Sequence, residues 1–285
     1  MKYKTMKHKM IFVLLAIVTV AGGAFARTVM AAEVTTGETQ APATSDTQQA
    51  PAASNVQQAP AASDTQQILV TPDTQAIIID TMLNSFFSRS AFIGNSIGVG
   101  LTNYFKAQGP GFLGEPTMLT RGSYSFRNDS AGNPKYMVSY KGESLMAKDA
   151  VAKSGAKYVF INMGTNDLFE GAEKSYERYV EYIDGIRSTC PGILFFIEST
   201  TPACKDSNVS NSKIDEFNSL MAQYCAVTPD AFYVDISTGM KDAEGYLQVG
   251  LSSDKSCHLN NKAYAIWVDE LRSFAYSVIL MNQGQ

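Results

Sequence analysis

The sequence predicts an α/β fold of three layers, in which a central parallel sheet of about five strands lies between two layers of helices. Between residue 69 and the C-terminus, short apolar runs alternate with amphipathic segments of ten or more residues. This alternation indicates βαβ units. Polar residues suited to chemistry follow several of the runs, and in parallel sheets function gathers at the carboxyl ends of the strands.

Each element is predicted from its own pattern. The apolar runs that predict strands are 91–94, 117–119, 158–163, 193–197 and 232–234. The helical periodicities are 74–87, 96–107, 176–187, 214–224 and 262–280. In 176–187, for example, Tyr179, Tyr182, Ile183 and Ile186 recur on one helical face. The Gly/Asn-rich segments 109–114 and 124–140 are candidates to wall the mouth of the active site, and the sequence does not predict their shape.

Residues 1–31 resemble a signal peptide. Four lysines and His8 precede a charge-free apolar run at 10–26, and small residues suited to cleavage follow at 24–26 and 29–31. The alternative is an uncleaved membrane anchor, because the run is close to the lower limit of about 17 residues for a spanning helix. We therefore expect a secreted or cell-surface protein.

Residues 32–67 predict a disordered linker rich in Gln, Ala and Pro. A nine-residue unit begins at Gln40 and again at Gln49 and Gln58, and it contains no aromatic residue. Such a segment buries too little apolar surface to offset backbone entropy. It is either a spacer that holds the next domain away from a surface or a leader without a partner. The remaining residues, 68–285, have the length of one domain.

The charge balance excludes one class of partner. Without residues 1–31 the chain carries 18 Lys and Arg against 27 Asp and Glu, a net charge near −9. Because nucleic-acid binding depends on positive charge, we expect no nucleic-acid partner.

The candidate catalytic residues are Ser96, Asn166, Asp254 and His258. Ser96 follows the first predicted strand between glycines, Asn166 follows the third, and His258 is the only histidine beyond residue 31. Taken alone, Ser96 could be a helix N-cap, Asn166 a turn residue and His258 a surface residue. The G-x-S-x-G spacing around Ser96 also matches the α/β-hydrolase elbow, but that fold places several strands before its nucleophile.

Together these residues resemble the SGNH (GDSL-type) hydrolase family. The resemblance lies in four blocks: Phe92-Ile-Gly-Asn-Ser-Ile, Thr120-Arg-Gly-Ser, Gly164-Thr-Asn-Asp, and Asp254 to His258 with the Leu-Asn that follows. The family implies a flavodoxin-like fold and a serine esterase that needs no cofactor or metal. Ser96 would be the nucleophile, His258 the general base, and Asp254 the residue that orients His258. The Ser96 and Gly122 amides and the Asn166 side chain would form the oxyanion hole.

Two positions depart from the family pattern. Asn95 stands where the family usually has Asp, a position that supports the turn. Asp254 precedes His258 by four residues, whereas three are usual. Either the loop bulges and Asp254 still reaches the imidazole, or a backbone carbonyl orients His258 in a dyad, or activity is lost.

The four cysteines permit disulfides in an exported protein. Our hypothesis pairs cysteines that the topology places on the same side of the sheet, Cys204 with Cys257 and Cys190 with Cys225. The alternative for Cys190 and Cys225 is a pair of free thiols. One histidine with scattered cysteines lacks the paired spacing of a zinc site, so no metal is expected.

The resulting functional hypothesis is a secreted serine esterase that cleaves small acyl esters, such as acetyl esters, on a carbohydrate or cell-wall substrate. The alternatives are a lysophospholipase-like acylhydrolase of lipid esters and a catalytically weak glycan-binding module. Contact with a membrane is expected only through an uncleaved signal anchor. The oligomeric state does not follow from the sequence.

Overall fold

The computed structural model describes residues 72–283, which belong to the compact unit Gln66–Gln285. The predicted signal peptide and the predicted repeat linker lie outside these residues. The helices are α1 (Pro72–Phe87), α2 (Ser96–Gln108), α3 (Phe126–Ser130), α4 (Ala147–Ser154), α5 (Ala172–Thr189), α6 (Asn211–Val227) and α7 (Asn261–Gln283). The strands are β1 (Ser90–Gly94), β2 (Thr117–Thr120), β3 (Val138–Tyr140), β4 (Glu143–Leu145), β5 (Tyr158–Asn162), β6 (Leu194–Glu198) and β7 (Ala231–Val234).

Five strands form a parallel sheet in the order β2-β1-β5-β6-β7. The predicted three-layer α/β/α architecture is confirmed. β2 lies on one side of β1 in the sheet. The next strand of the sheet along the chain, β5, lies on the other side of β1, followed by β6 and β7. The strand order therefore reverses between β1 and β5, and the carboxyl ends of these two strands flank the crevice where α/β sheets bind ligands.

Both faces of the sheet are buried, and alternate residues of each strand enter different cores. Ile93, Ile161 and Ile197 face one cluster of buried apolar side chains, which includes residues of α4, α5 and α6. Phe92, Phe160 and Phe196 face the other, with α1, α2 and α7. The ring centroids of Phe92 and Phe160 lie 4.6 Å apart, as do those of Phe160 and Phe196. This ladder of rings holds the central strands in register.

Four short elements, α3, β3, β4 and α4, lie between β2 and β5, where no element was predicted. The helix α3 is followed by the antiparallel pair β3 and β4, and α4 then leads into β5. The N-terminus of α4 is held by the buried Asp129 carboxylate, which accepts the Ala147 amide at 3.0 Å. Within residues 72–283, no helix is long and apolar enough to cross a membrane.

Glu198, at the end of β6, is a buried carboxyl group hydrogen-bonded to Trp267. The Trp267 indole donates to its Oε1 at 3.2 Å. Burial raises the pKa of Glu198 from its ordinary 4.5 to about 8, although the Trp267 bond acts to lower it. The carboxyl group is therefore neutral in the folded protein at pH 7 and ionised in the unfolded chain.

This difference predicts that stability falls as pH rises from about 4.5 to about 8, because only the unfolded state loses its proton in that range. We expect Glu198→Gln, which keeps an oxygen acceptor for Trp267, to be more stable than wild type at pH 8 and to flatten this decline. Urea unfolding at pH 5 and pH 8 measures the effect. Glu181→Gln, on the exposed side of α5, is the matched control, and equal pH slopes in all three proteins would refute the assignment.

Candidate active site

Ser96 is placed at the carboxyl end of β1 by a tight turn into α2. Asn95 is the N-cap of α2, and its Oδ1 accepts the Ile97 amide at 2.9 Å. The turn needs a glycine, since a Cβ on Gly94 would lie 3.0 Å from the Gly98 Cα. Ser96 is therefore the first residue of the helix. The alternative that Ser96 is itself the N-cap is wrong, because Asn95 has that role.

His258 reaches Ser96 from the loop that precedes α7. Its Nε2 lies 3.0 Å from Ser96 Oγ. The first turns of α7, which follow this loop, are held beside α2 by the Tyr264 hydroxyl, which donates to the Ile97 carbonyl at 2.9 Å. That contact depends on Gly100, where a Cβ would lie 1.8 Å from the Tyr264 hydroxyl oxygen. A glycine in α2 thus lets α7 come close enough to bring the imidazole to the serine.

Asp254 contacts the other nitrogen of the same imidazole. Its Oδ2 lies 2.6 Å from His258 Nδ1. The additional residue in the loop is accommodated by a bulge: Lys255 has a left-handed φ of 58°, while Ser252 and Leu259 pair across the base of the loop. Of the alternatives left open by the sequence, the structure has the bulged loop and not the dyad oriented by a backbone carbonyl. The Asp254 carboxylate lies within hydrogen-bond reach of His258 Nδ1.

The charge on Asp254 is stabilised by its surroundings. Partial burial acts to raise its pKa, but hydrogen bonds from the His258 side chain, from the Ser256 and His258 amides and from Ser252 together lower the pKa to about 2. The Ser256 amide lies 2.8 Å from Asp254 Oδ1, and the His258 amide lies 3.2 Å from it. Asp254 is therefore an anion at neutral pH, as the partner of an imidazole that becomes protonated must be.

The three predicted oxyanion donors follow three adjacent parallel strands, β1, β2 and β5, at the same edge of the sheet. The Ser96 amide lies in the first turn of α2, where amides have no intrahelical acceptor. Gly122 follows β2, and the Arg121 amide ties this segment to the Gly94 carbonyl at 3.1 Å. Asn166 follows β5, and its Nδ2 donates to the Tyr124 carbonyl at 2.9 Å. That bond uses one of the two amide protons and leaves the other for a substrate oxygen.

Asp167, directly after Asn166, is buried. Within residues 72–283 its Oδ2 has no hydrogen-bond partner, whereas its Oδ1 accepts the Arg127 amide at 3.5 Å. Burial raises the pKa of this carboxyl group to about 7, although the Arg127 amide and charge act to lower it. The sequence pattern showed only that Asp167 follows Asn166, and its burial depends on the packing of α3 over this loop.

Three supporting residues were not found from the sequence: Ser252, Tyr124 and Tyr264. The Ser252 hydroxyl lies 3.1 Å from both Asp254 Oδ1 and the His258 carbonyl oxygen. Tyr124 holds Asn166 through a backbone carbonyl, which no side-chain motif reveals. A serine two residues before an acid is a turn signal that could have identified Ser252.

The predicted disulfides are not formed, because Cys190, Cys204, Cys225 and Cys257 are all free thiols. For Cys190 and Cys225, the structure has the alternative of free thiols. Cys190 Sγ lies 3.8 Å from the Lys148 carbonyl oxygen, so it faces α4, whereas Cys225 packs with Tyr179 in the core between α5 and α6. Cys204 is tied to the catalytic loop by its backbone amide, which donates to the Ser256 carbonyl at 2.8 Å. This backbone hydrogen bond, and not a Cys204–Cys257 disulfide, therefore links Cys204 to the catalytic loop.

The fold and the crevice define an ester hydrolase of the three-layer α/β/α class. The chain belongs to the GDSL-like lipase/acylhydrolase family, whose profile matches residues 92–266, more than half of its length. The resemblance seen in the sequence is confirmed. No curated protein matches the chain significantly.

Many solved structures have a similar fold, and three of them are compared with this chain by identity, coverage and TM-score. One is a protein from Streptococcus pneumonia provisionally described as a platelet activating factor, with 16% identity and a TM-score of 0.51 over 70% of this chain and 92% of that one. A carbohydrate esterase family 3 protein from Talaromyces cellulolyticus has 13% identity and a TM-score of 0.49, over 67% and 97%. A mutant acetyl esterase with acetate ion has 12% identity and a TM-score of 0.49, over 69% and 99%.

Removing the Asn166 donor is expected to reduce turnover without a comparable change in KM. The amide stabilises negative charge that develops only in the transition state, so we expect Asn166→Ala to lower kcat by about 10²- to 10³-fold. Steady-state kinetics on a chromogenic ester measures this. Asn103→Ala, on the exposed surface of α2, is the matched control. A kcat for Asn166→Ala equal to that of the control would remove Asn166 from the oxyanion hole.

Proposed function

We propose that this protein is a secreted or surface-tethered serine esterase that removes small acyl groups, acetyl foremost, from a carbohydrate or cell-wall polymer. The observation that carries the proposal is the continuous hydrogen-bonded chain from Ser96 Oγ to His258 Nε2 at 3.0 Å and from His258 Nδ1 to Asp254 Oδ2 at 2.6 Å. Both distances are within the reach that proton transfer requires.

The proposed reaction passes through an acyl-enzyme. Ser96 Oγ attacks the ester carbonyl carbon while its proton moves to His258 Nε2, and Asp254 stabilises the imidazolium. The oxyanion is held by the amides of Ser96 and Gly122 and by the Asn166 side chain. His258 then gives its proton to the leaving alcohol. A water molecule, deprotonated by the same nitrogen, releases the acid and restores Ser96.

The exposure of the site supports a small acyl group. The side chains of His258 and Asp254 are 44% and 38% exposed, so the bond to be cleaved lies at an open rim. A long acyl chain contributes about 0.8 kcal/mol per CH₂ only where that CH₂ is buried. At an open rim this gain is small, and long chains have no advantage over acetyl.

The polymeric carbohydrate is supported by the N-terminal sequence and by the rim. A signal-like segment and a repeat linker precede the domain, as expected for an enzyme held near an extracellular polymer. Phe169, three residues after Asn166, is 58% exposed, with the Arg127 guanidinium carbon 4.6 Å from its ring centroid. A flat ring beside a fixed cation provides both stacking and hydrogen-bonding contacts for a sugar.

A series of chromogenic esters from acetyl to decanoyl, followed by acetylated polysaccharide and lysophospholipid, tests the proposal. We expect kcat/KM to be highest for acetyl and to fall with chain length, and we expect acetate release from the polysaccharide. A maximum at octanoyl or decanoyl, with lysophospholipid cleavage, would establish a lipid-ester acylhydrolase instead. Rates equal to those of Ser96→Ala on every ester would leave the glycan-binding module as the remaining hypothesis.

A further inference from the structure

The catalytic loop brings together three metal-binding side chains of different chemistry. One ligand atom each from Asp254, Cys257 and His258 lies within 4.8 Å of the others. Asp254 is exposed, and Cys257 and His258 are partly buried, so the group is open to ions from solution. Cys257 has no part in the proposed ester hydrolysis. Its thiol therefore adds a metal-binding group that the reaction does not require.

The loop geometry accounts for this convergence. The left-handed Lys255 turns the chain back, and Asp254 Oδ1 accepts the amides of both Ser256 and His258, so the carboxylate lies inside the turn. The imidazole is held against the carboxylate at 2.6 Å. Cys257 lies between the two residues whose amides bind Asp254, and it interacts electrostatically with that carboxylate. The bulge that accommodates the additional residue is therefore also what assembles the three donors.

We propose that Asp254, Cys257 and His258 form an inhibitory binding site for a thiophilic divalent cation of the Zn²⁺ type. Thiolate, imidazole and carboxylate are the ligands that Zn²⁺ takes, with distances of about 2.3 Å to sulfur and about 2.0 Å to nitrogen or oxygen. A tetrahedral site of these dimensions separates its donors by about 3.3 to 3.5 Å, so the exposed loop has to adjust by about 1 Å. Cations that prefer oxygen ligands, such as Mg²⁺, do not gain from the thiolate.

Binding at this site removes the general base. The cation takes the Nδ1 position that faces Asp254, and the proton of the Cys257 thiol passes to solvent. The single N–H proton of the neutral imidazole moves from Nδ1 to Nε2 by exchange with water, so that it now faces Ser96 Oγ. A protonated Nε2 cannot accept the serine proton, so acylation stops. Inhibition rests on the proposed function of Ser96 and His258, whereas binding of the cation does not.

This group does not show the paired Cys and His spacing that marks the usual zinc sites. Its three ligands come from a single loop of five residues, and one of them is a carboxylate. A sequence separation of four residues between Asp254 and His258 would place the donors far apart on an extended strand. The left-handed turn at Lys255, which no sequence pattern predicts, brings the three donors together.

Two measurements on the EDTA-dialysed full-length protein test the proposal. The first is inhibition of acetyl ester hydrolysis by ZnCl₂ in wild type, Cys257→Ser and Cys190→Ser, with each rate divided by the metal-free rate of the same variant. The second is the near-ultraviolet thiolate-to-metal absorption on addition of Co²⁺, measured on Ser96→Ala and on Ser96→Ala/Cys257→Ser. The second measurement needs no enzymatic activity and therefore remains decisive if the proposed function fails.

We expect half-inhibition of wild type and of Cys190→Ser at the same Zn²⁺ concentration, and an increase of about tenfold or more in Cys257→Ser, the scale on which changes around a metal weaken its binding. MgCl₂ at the same concentrations should leave the rate unchanged. The Co²⁺–thiolate absorption should appear in Ser96→Ala and be lost with Cys257. Equal Zn²⁺ sensitivity of wild type and Cys257→Ser, or an absorption that persists without Cys257, would overturn the proposal.

Discussion

Replacing Ser96 with alanine is expected to lower kcat on an acetyl ester by about 10⁴- to 10⁶-fold, the scale on which serine hydrolases lose activity without their nucleophile. The expected loss is this large because Ser96 Oγ is the atom that forms the acyl-enzyme and that gives its proton to His258 Nε2, 3.0 Å away. Burst kinetics at high enzyme concentration, together with kcat, measures both acylation and turnover.

Ser277→Ala is the matched control for that experiment. Ser277 is an exposed serine of α7 whose hydroxyl donates to the Ser273 carbonyl, far along the chain from the catalytic loop. It should hydrolyse the ester at the wild-type rate. Equal activity of Ser96→Ala and Ser277→Ala, with both proteins folded by circular dichroism, would mean that another residue is the nucleophile.

Replacing Asp254 with asparagine is expected to reduce kcat by about 10²- to 10⁴-fold. An amide in place of the carboxylate donates to Nδ1, which forces the tautomer that carries its proton on Nε2, so His258 can no longer accept the proton of Ser96. The pKa of Asp254, lowered to about 2, shows that the loop is built around the anion. Asp269→Asn, an exposed carboxyl group on α7, is the matched control and should retain full activity.

The same variant separates a triad from a dyad. If a backbone carbonyl oriented His258, the asparagine would reduce kcat only a few-fold, because the tautomer would be set elsewhere. A kcat of Asp254→Asn close to that of Asp269→Asn would therefore assign the enzyme to a Ser96–His258 dyad, despite the 2.6 Å contact.

The long helices and the central strands were predictable because each contains several apolar residues in a regular pattern. In α5 the apolar residues recur at helical spacing over several turns, and β1 and β5 are continuous apolar runs buried on both faces. The pair β3 and β4 and the helix α4 were missed, because strands of three residues are too short to show alternation. The eight residues of α4 depend instead on tertiary contacts, such as the bond from Ala147 to Asp129.

The functional residues were predictable as residue types, but their geometry was not. Gly122 reaches the crevice because β2 pairs with β1 and Arg121 bonds to Gly94, and strand pairing of this kind is not encoded by a short motif. The reach of Asp254 depends on a positive φ at Lys255, a residue with no special preference for that conformation. The cysteine pairing failed because topology gives the side of a sheet but not the direction of a side chain.

Covalent labelling with a fluorophosphonate, followed by peptide mass spectrometry, tests most directly the claim that Ser96 is a nucleophile activated by His258 and Asp254. The reagent reacts with an activated serine and leaves ordinary hydroxyl groups unmodified. We expect one adduct per chain, on the peptide that contains Ser96, and a greatly slowed reaction in His258→Gln. An adduct on a different serine, or no adduct in the folded wild-type protein, would contradict the claim.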